Sequence, residues 1–142
     1  MRIGVLADSH DHLPKKVAEA FADVDEIWHL GDVCSSAILA HFDNIPVLVV
    51  RGNCDSEAWP LSLKLEREGM RFLLMHVEPM EIPEDVNVIL HGHTHVPRDE
   101  TIQGVRILNP GAVSKPRHGT TSSVALLEIE NGTVKHWHSI KL

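Results

Sequence analysis

The residues Leu90-His91-Gly92-His93-Thr94-His95 place an imidazole at every second position, directly after the apolar run Val86-Asn87-Val88-Ile89-Leu90. Three neighbouring imidazolium cations would repel one another, so a charged surface patch is a poor use for them. Neutral imidazole, by contrast, is the commonest transition-metal ligand. Gly92 lets the chain turn sharply there, since it has no Cβ to obstruct a positive φ. Four further strand-like runs end in residues that can hold a metal, namely Asp8 with His10, then Asp32, Asn53 and His76. Mixed oxygen and imidazole donors suit manganese, iron, cobalt, nickel or zinc better than calcium or magnesium alone. There are more donors than one structural zinc needs, which favours two ions. A carboxylate shared by two ions would hold them ~3.5–4 Å apart. Their charge would produce hydroxide near neutral pH and stabilise a phosphoryl group under attack.

Donors so far apart along the chain need a scaffold that gathers them. Arg2 to Ala7 reads as a buried strand running into Asp8-Ser9-His10. Leu13 to Ala22 has Leu13, Val17, Ala20 and Phe21 on one helical face, with Pro14 in the first turn. Asp25 to Leu30 is a second strand ending in Gly31-Asp32. Ser35 to Phe42 reads as a second helix, with Ser35 or Ser36 as its N-cap. Pro46 to Val50 is a third strand and ends in Arg51-Gly52-Asn53-Cys54-Asp55. This alternation predicts a parallel sheet with right-handed crossovers, in which ligands collect beyond the carboxyl ends of the strands.

Further along, Leu61 to Glu66 and Arg71 to Met75 pair around Glu68-Gly69, and the second of these strands stops at His76. Val96 to Ile102 and Val105 to Leu108 form a hairpin about Gln103-Gly104. Ser122 to Glu130 and Thr133 to Ile140 form another, about the strong type I′ signal Asn131-Gly132. The strand-rich C-terminal half therefore predicts a second, mostly antiparallel sheet packed on the first. No repeat, low-complexity tract or linker interrupts the chain, so residues 1–142 read as one domain of α/β class.

With 142 residues, 43% of them hydrophobic, the chain can bury a real core without crosslinks. No apolar run approaches the ~20 residues needed to span a membrane. Met1-Arg2-Ile3-Gly4 lacks the pattern of a signal peptide, so a cytoplasmic protein is expected. Cys34 and Cys54 fit reduced thiols there. The net charge of −7 argues against tight non-specific nucleic-acid binding, and 4% aromatic residues provide no stacking platform. Nucleic acid stays a poor partner without being excluded. Two divalent cations would bring the charge to about −3.

Asp8-Ser9-His10, Gly31-Asp32, Gly52-Asn53-Cys54-Asp55, His76, Gly92-His93-Thr94-His95 and Asn109-Pro110-Gly111 follow the order found in calcineurin-like metallophosphoesterases. The chain resembles the small bacterial and archaeal phosphodiesterase branch of that family from residue 3 to about 130. The resemblance implies an αββα sandwich, two mixed β-sheets flanked by helices, with a dinuclear site at one edge. By motif position, Asp8, His10, Asp32 and His95 would hold one metal. Asp32, Asn53, His76 and His93 would hold the other, with Asp32 as the bridge. Asn53 would also place the substrate phosphate, so Asn53 and Asp32 are the expected catalytic pair. Manganese is the foremost candidate ion, with Ni, Co, Fe and Zn as alternatives.

The chain departs from the family at three points. Many relatives carry a histidine after that asparagine, able to protonate the leaving group, where this chain has Cys54. A thiol with a reference pKa of ~8.5 is a poor substitute, and a small hydrophobe beside the site is the plainer role for Cys54. Val77 follows His76 where most relatives have glycine. Only sixteen residues separate His76 from His93, including Pro79 and Pro83, so the usual helix there lacks room. Arg117 and His12 are further candidates for substrate contact, His12 the weaker because a helix start explains it.

The expected activity is hydrolysis of a small phosphate ester, foremost a diester, by metal-bound hydroxide. A phosphomonoesterase and a non-catalytic scaffold of the same fold are the alternatives, and both monomer and homodimer stay open. Histidine ligands must be deprotonated to bind. The metal content of dialysed protein should therefore fall below pH ~6, and a flat content from pH 8 to 5 would rule out imidazole ligation.

Overall fold

Arg2–Leu6 (β1) is fully buried from Ile3 onward, as a strand covered on both faces must be. The computed structural model describes residues 1–142. Lys15–Ala20 (α1), Glu26–His29 (β2), a 3₁₀ helix at Ser36–Phe42 and Val47–Val49 (β3) follow. β1, β2 and β3 are parallel, with Ile3 opposite Glu26 and Ile27 opposite Val47. α1 is shorter than the apolar pattern suggests. Leu13 precedes a proline and is steered away from the helical region, and Pro14 itself is extended (φ −59°, ψ 146°). Phe21 at its C-terminus lies on Gly4, where a Cβ would come within 2.7 Å of the ring. Ser35 caps the 3₁₀ helix by accepting from the Ala37 amide.

The chain continues with Ser62–Arg67 (β4), Met70–Met75 (β5), Val88–Leu90 (β6), Arg98–Ile102 (β7), Val105–Asn109 (β8), Ser123–Glu130 (β9) and Thr133–Lys141 (β10). The second sheet has the order β4-β5-β6-β8-β7. It is mixed rather than mostly antiparallel, because β5, β6 and β8 run parallel and only the edge strands β4 and β7 oppose their neighbours.

The last hairpin does not join this second sheet. β9 lies antiparallel to β1, Ile3 opposite Leu127, giving a first sheet of order β10-β9-β1-β2-β3. Val124, Ala125, Leu127 and Ile129 of β9 are all buried, as in an interior strand. Asn131 and Gly132 both have positive φ (48° and 78°), as a type I′ turn requires.

No helix lies between β5 and β6, in keeping with the short spacing from His76 to His93. The sandwich therefore carries its helices only on the first sheet. The outer face of the second sheet, Leu73, Ile89, Val105 and Ile107, is covered instead by Val86, Ile82 and Met75. No helix is long and apolar enough to cross a membrane.

Between the sheets, Ile3, Val5, Trp28 and Leu30 pack against Phe72, Leu74, Val88, Leu90 and Leu108. Trp28 meets Phe72 edge-on at 5.2 Å, and its indole N–H donates to Glu26 (2.9 Å). Arg67 of β4 donates to the same carboxylate (2.7 Å), so one ion pair ties the layers together at this end. Trp28→Ala should cost about 3–5 kcal/mol of stability, read from urea denaturation midpoints at constant m.

Candidate metal centre

Every motif residue sits just past a strand end, where the chain must turn. Asp8 and His10 follow β1, Asp32 follows β2 and Asn53 follows β3. His76 follows β5, and His93 and His95 follow β6. Five of them have left-handed backbones: Asp8 (φ 56°), His10 (44°), Asp32 (57°), His93 (72°) and His95 (63°). Aspartate and histidine enter this region more readily than most residues with a Cβ. These turns bring donors from both sheets to one edge.

Each aspartate gives one oxygen to the backbone and keeps the other free. The His93 amide donates to Asp8 Oδ2 (3.1 Å) and the Cys54 amide to Asp32 Oδ1 (2.9 Å). Asp8 Oδ1 is buried with no hydrogen-bond partner, as is His10 Nε2. His76 Nδ1 donates to the Leu30 carbonyl and His95 Nδ1 to the Lys115 carbonyl, each at 2.7 Å. That leaves the Nε2 lone pairs facing inward in the neutral rings. His76 Nε2 lies 3.3 Å from Asp32 Oδ2 and 3.1 Å from Asn53 Oδ1. His95 Nε2 lies 3.5 Å from Asp8 Oδ1, and His10 Nε2 lies 3.6 Å from Asp32 Oδ2. The rings of His76 and His93 are 5.1 Å apart. Donor atoms of Asp8, His10, Asp32 and His95 all lie within 4.8 Å of one another. Carboxylate oxygens and imidazole lone pairs face one another here, and cations of the transition series complement such a set.

The electrostatics agree. Burial, reinforced by the charge of Asp32, pushes the Asp8 carboxyl up to about 7. Burial also lowers the pKa of His76 and His95, which keeps their lone pairs available near neutral pH. His29 is held neutral, pushed down to about 3 by complete burial. It accepts from the Gly31 amide (3.1 Å), so its other nitrogen donates to Ser9 Oγ (2.9 Å) and joins the first two loops.

Of the remaining sequence candidates, Cys54 is exposed at the rim. Its thiol is pushed up by desolvation and then by Asp32, so it stays protonated at neutral pH. The Arg117 amide donates to the His95 carbonyl (3.3 Å), and the guanidinium lies near enough to lower the Asp8 pKa. His12 is exposed on the turn before α1, and its ring makes no hydrogen bond to the cluster.

The main residue that sequence reasoning left without a role is Asp55. Its carboxylate accepts from the backbone amides of Asp32 (2.9 Å), Cys34 (2.8 Å) and Gly52 (2.7 Å), pinning two of the loops together. An acidic residue three positions after a glycine at a strand end was the available signal. Gly52 has no room for a side chain, since a Cβ would strike the Asp32 carboxylate.

Comparison with known proteins agrees with this architecture. The family model for the calcineurin-like phosphoesterase superfamily domain matches residues 1–132. The chain belongs to that superfamily. It is 33% identical to a "probable metallophosphoesterase" of Methanothermobacter thermautotrophicus, over 92% of this chain and 87% of the relative. A solved archaeal phosphodiesterase superimposes with a TM-score of 0.83 at 25% identity, covering 100% of both chains. The phosphoesterase YfcE of Escherichia coli gives 0.79 at 26% identity, covering 96% of this chain and 98% of its own.

The folded pKa of Asp8, about 7, lies above its unfolded value of ~3.9. The folded protein thus holds that proton more tightly, and the contribution of Asp8 to stability falls as pH rises from ~4 to ~7. Asparagine would keep the His93 contact without a charge. Asp8→Asn should therefore raise the stability of chelator-treated protein at pH 8 by roughly 1–4 kcal/mol. It should also reduce the rise in Tm on adding Mn²⁺ or Zn²⁺, because one of the two expected ion sites loses its carboxylate. Calorimetry across pH 5–8 reads both effects.

Proposed function

We propose that this chain is a metal-dependent phosphodiesterase acting on small phosphate esters. The observation that carries the reading is the set of inward lone pairs drawn from both sheets, with two unpartnered buried donor atoms at its centre. Asp8, His10, Asp32 and His95 would hold one divalent ion, and Asp32, Asn53, His76 and His93 a second, with Asp32 shared. Manganese is the ion we favour. When bound, such ions supply Lewis acidity toward phosphoryl oxygens and lower the pKa of water.

The chain's own groups divide the remaining work. The Leu30 and Lys115 carbonyls hold the His76 and His95 rings in the tautomer that leaves Nε2 bare. Asp55 holds the Asp32 and Asn53 loops in register through backbone amides, which would fix the Asp32 carboxylate against recoil during turnover. Asn53 is exposed at the mouth with its carboxamide 3.1 Å from His76 Nε2, a position from which it can also meet a substrate oxygen. Arg117 adds positive charge at the same rim, suited to an anionic ester. Cys54 stays neutral there and is a weak proton donor, so esters with good leaving groups should be preferred.

With manganese, the protein should hydrolyse bis(4-nitrophenyl) phosphate faster than 4-nitrophenyl phosphate. Asp32→Ala should lower kcat by at least about a thousandfold, the scale of losing a charge-stabilising group at a reacting centre, and should release at least one ion. Full activity and both ions in a folded Asp32→Ala protein would overturn the assignment. Faster monoester hydrolysis would recast the protein as a phosphomonoesterase.

A further inference from the structure

We propose that the cavity beside Asn53 and His76 is a subsite for the second alcohol arm of a phosphodiester, an arm that carries both an apolar face and an anionic group. This rests on the phosphoesterase reading and adds the substrate class to it. The cavity has a volume of about 600 Å³ and is shared between the loop after β3 and the chain just past β5. That volume lies within the usual range for small-molecule sites. Asn53 and His76 form part of its wall and also belong to the donor cluster, so the cavity opens directly onto the reacting centre.

Its lining is of two kinds. Leu61 and Val77 present apolar surface to water at 62% and 50% exposure, two of the three large hydrophobics left so exposed in the chain. Met75 adds to the same wall. Side chains placed this way gain from an apolar group that covers them.

The second kind is Arg51, half-buried in the cavity wall. Arg2, Arg67, Arg98 and Arg106 are engaged in ion pairs, whereas Arg51, like Arg71 and Arg117, is in none, and of these three it is Arg51 that lines this cavity. Asp55 shares the wall, yet both of its oxygens are committed to backbone amides. A guanidinium kept free in a chain of net charge −7 is available for a carboxylate or phosphate on the ligand, which it can bind bidentately. Apolar wall, free guanidinium and two residues of the reacting centre all line one cavity. A diester with its phosphorus at the centre would lay its second arm along them.

Three diesters sharing a 4-nitrophenyl leaving group test this, with methyl, phenyl or 4-carboxyphenyl as the second arm. We expect kcat/KM to rise by roughly tenfold at each step along that series. R51Q should erase the carboxyphenyl-to-phenyl ratio, and L61S combined with V77S should collapse the phenyl-to-methyl ratio. Binding of methyl-, phenyl- and 4-carboxyphenylphosphonate to manganese-loaded protein, by calorimetry, gives the same ratios without turnover. If the phosphonates show the ratios and the variants lose them, the subsite stands even where no diester is hydrolysed, and only the phosphoesterase reading falls. Equal affinities for the three phosphonates, or ratios that folded variants leave intact, would overturn the subsite whether or not the diesters are cleaved.

Discussion

Two carboxylates, Asp8 and Asp32, are buried at the meeting point of the two sheets with their free oxygens turned toward each other and toward bare imidazole nitrogens. Water is largely excluded there, so ionising both without a partner is unfavourable, and Asp8 shows the cost as a carboxyl displaced to near neutrality. Much of the surrounding structure makes sense as a response to that condition. Amides of His93 and Cys54 take up one oxygen of each aspartate, and two carbonyls set the histidine protons on the outward nitrogens. The protein arranges an electron-rich hollow and leaves positive charge to come from outside.

The hollow exists only because the two layers agree on its position. Asp8, Asp32 and Asn53 come from parallel strands of the first sheet, whose carboxyl ends necessarily share one edge. His76, His93 and His95 come from the parallel part of the second sheet, β5 and β6, which ends at the same edge. The Trp28–Phe72 contact and the Arg67–Glu26 pair fix the two layers against each other away from the hollow. Misalignment of a sheet would separate the oxygen donors from most of the nitrogen donors.

Much of this was readable from residue order. An apolar run followed by Asp-Ser-His, Gly-Asp, Gly-Asn or His-Gly-His announces both a strand and what lies at its end, with no tertiary information required. Asn131-Gly132 likewise announces its hairpin, because the turn type is a local property. Where that hairpin docks is not local. β9 reads the same whether it extends the second sheet or covers the free edge of β1, and only long-range pairing decides. Asp55 was illegible for a related reason, since its carboxylate acts on backbone amides, which carry no residue-specific trace in the sequence. The amphipathic spacing of Leu13 to Ala22 implies a longer α1 than the chain forms, because the residue before Pro14 is steered out of the helical region and Pro14 itself is extended.

The left-handed turns at Asp8, His10, Asp32, His93 and His95 bear on how this chain can change over evolutionary time. Replacement by valine, isoleucine or threonine at any of these positions would remove a donor and also force a β-branched residue into a backbone region it strongly resists. Asparagine and glycine are the substitutions that keep the turn. Drift away from the present chemistry is thereby channelled through a few amino acids, toward relatives that keep the fold and lose the charge.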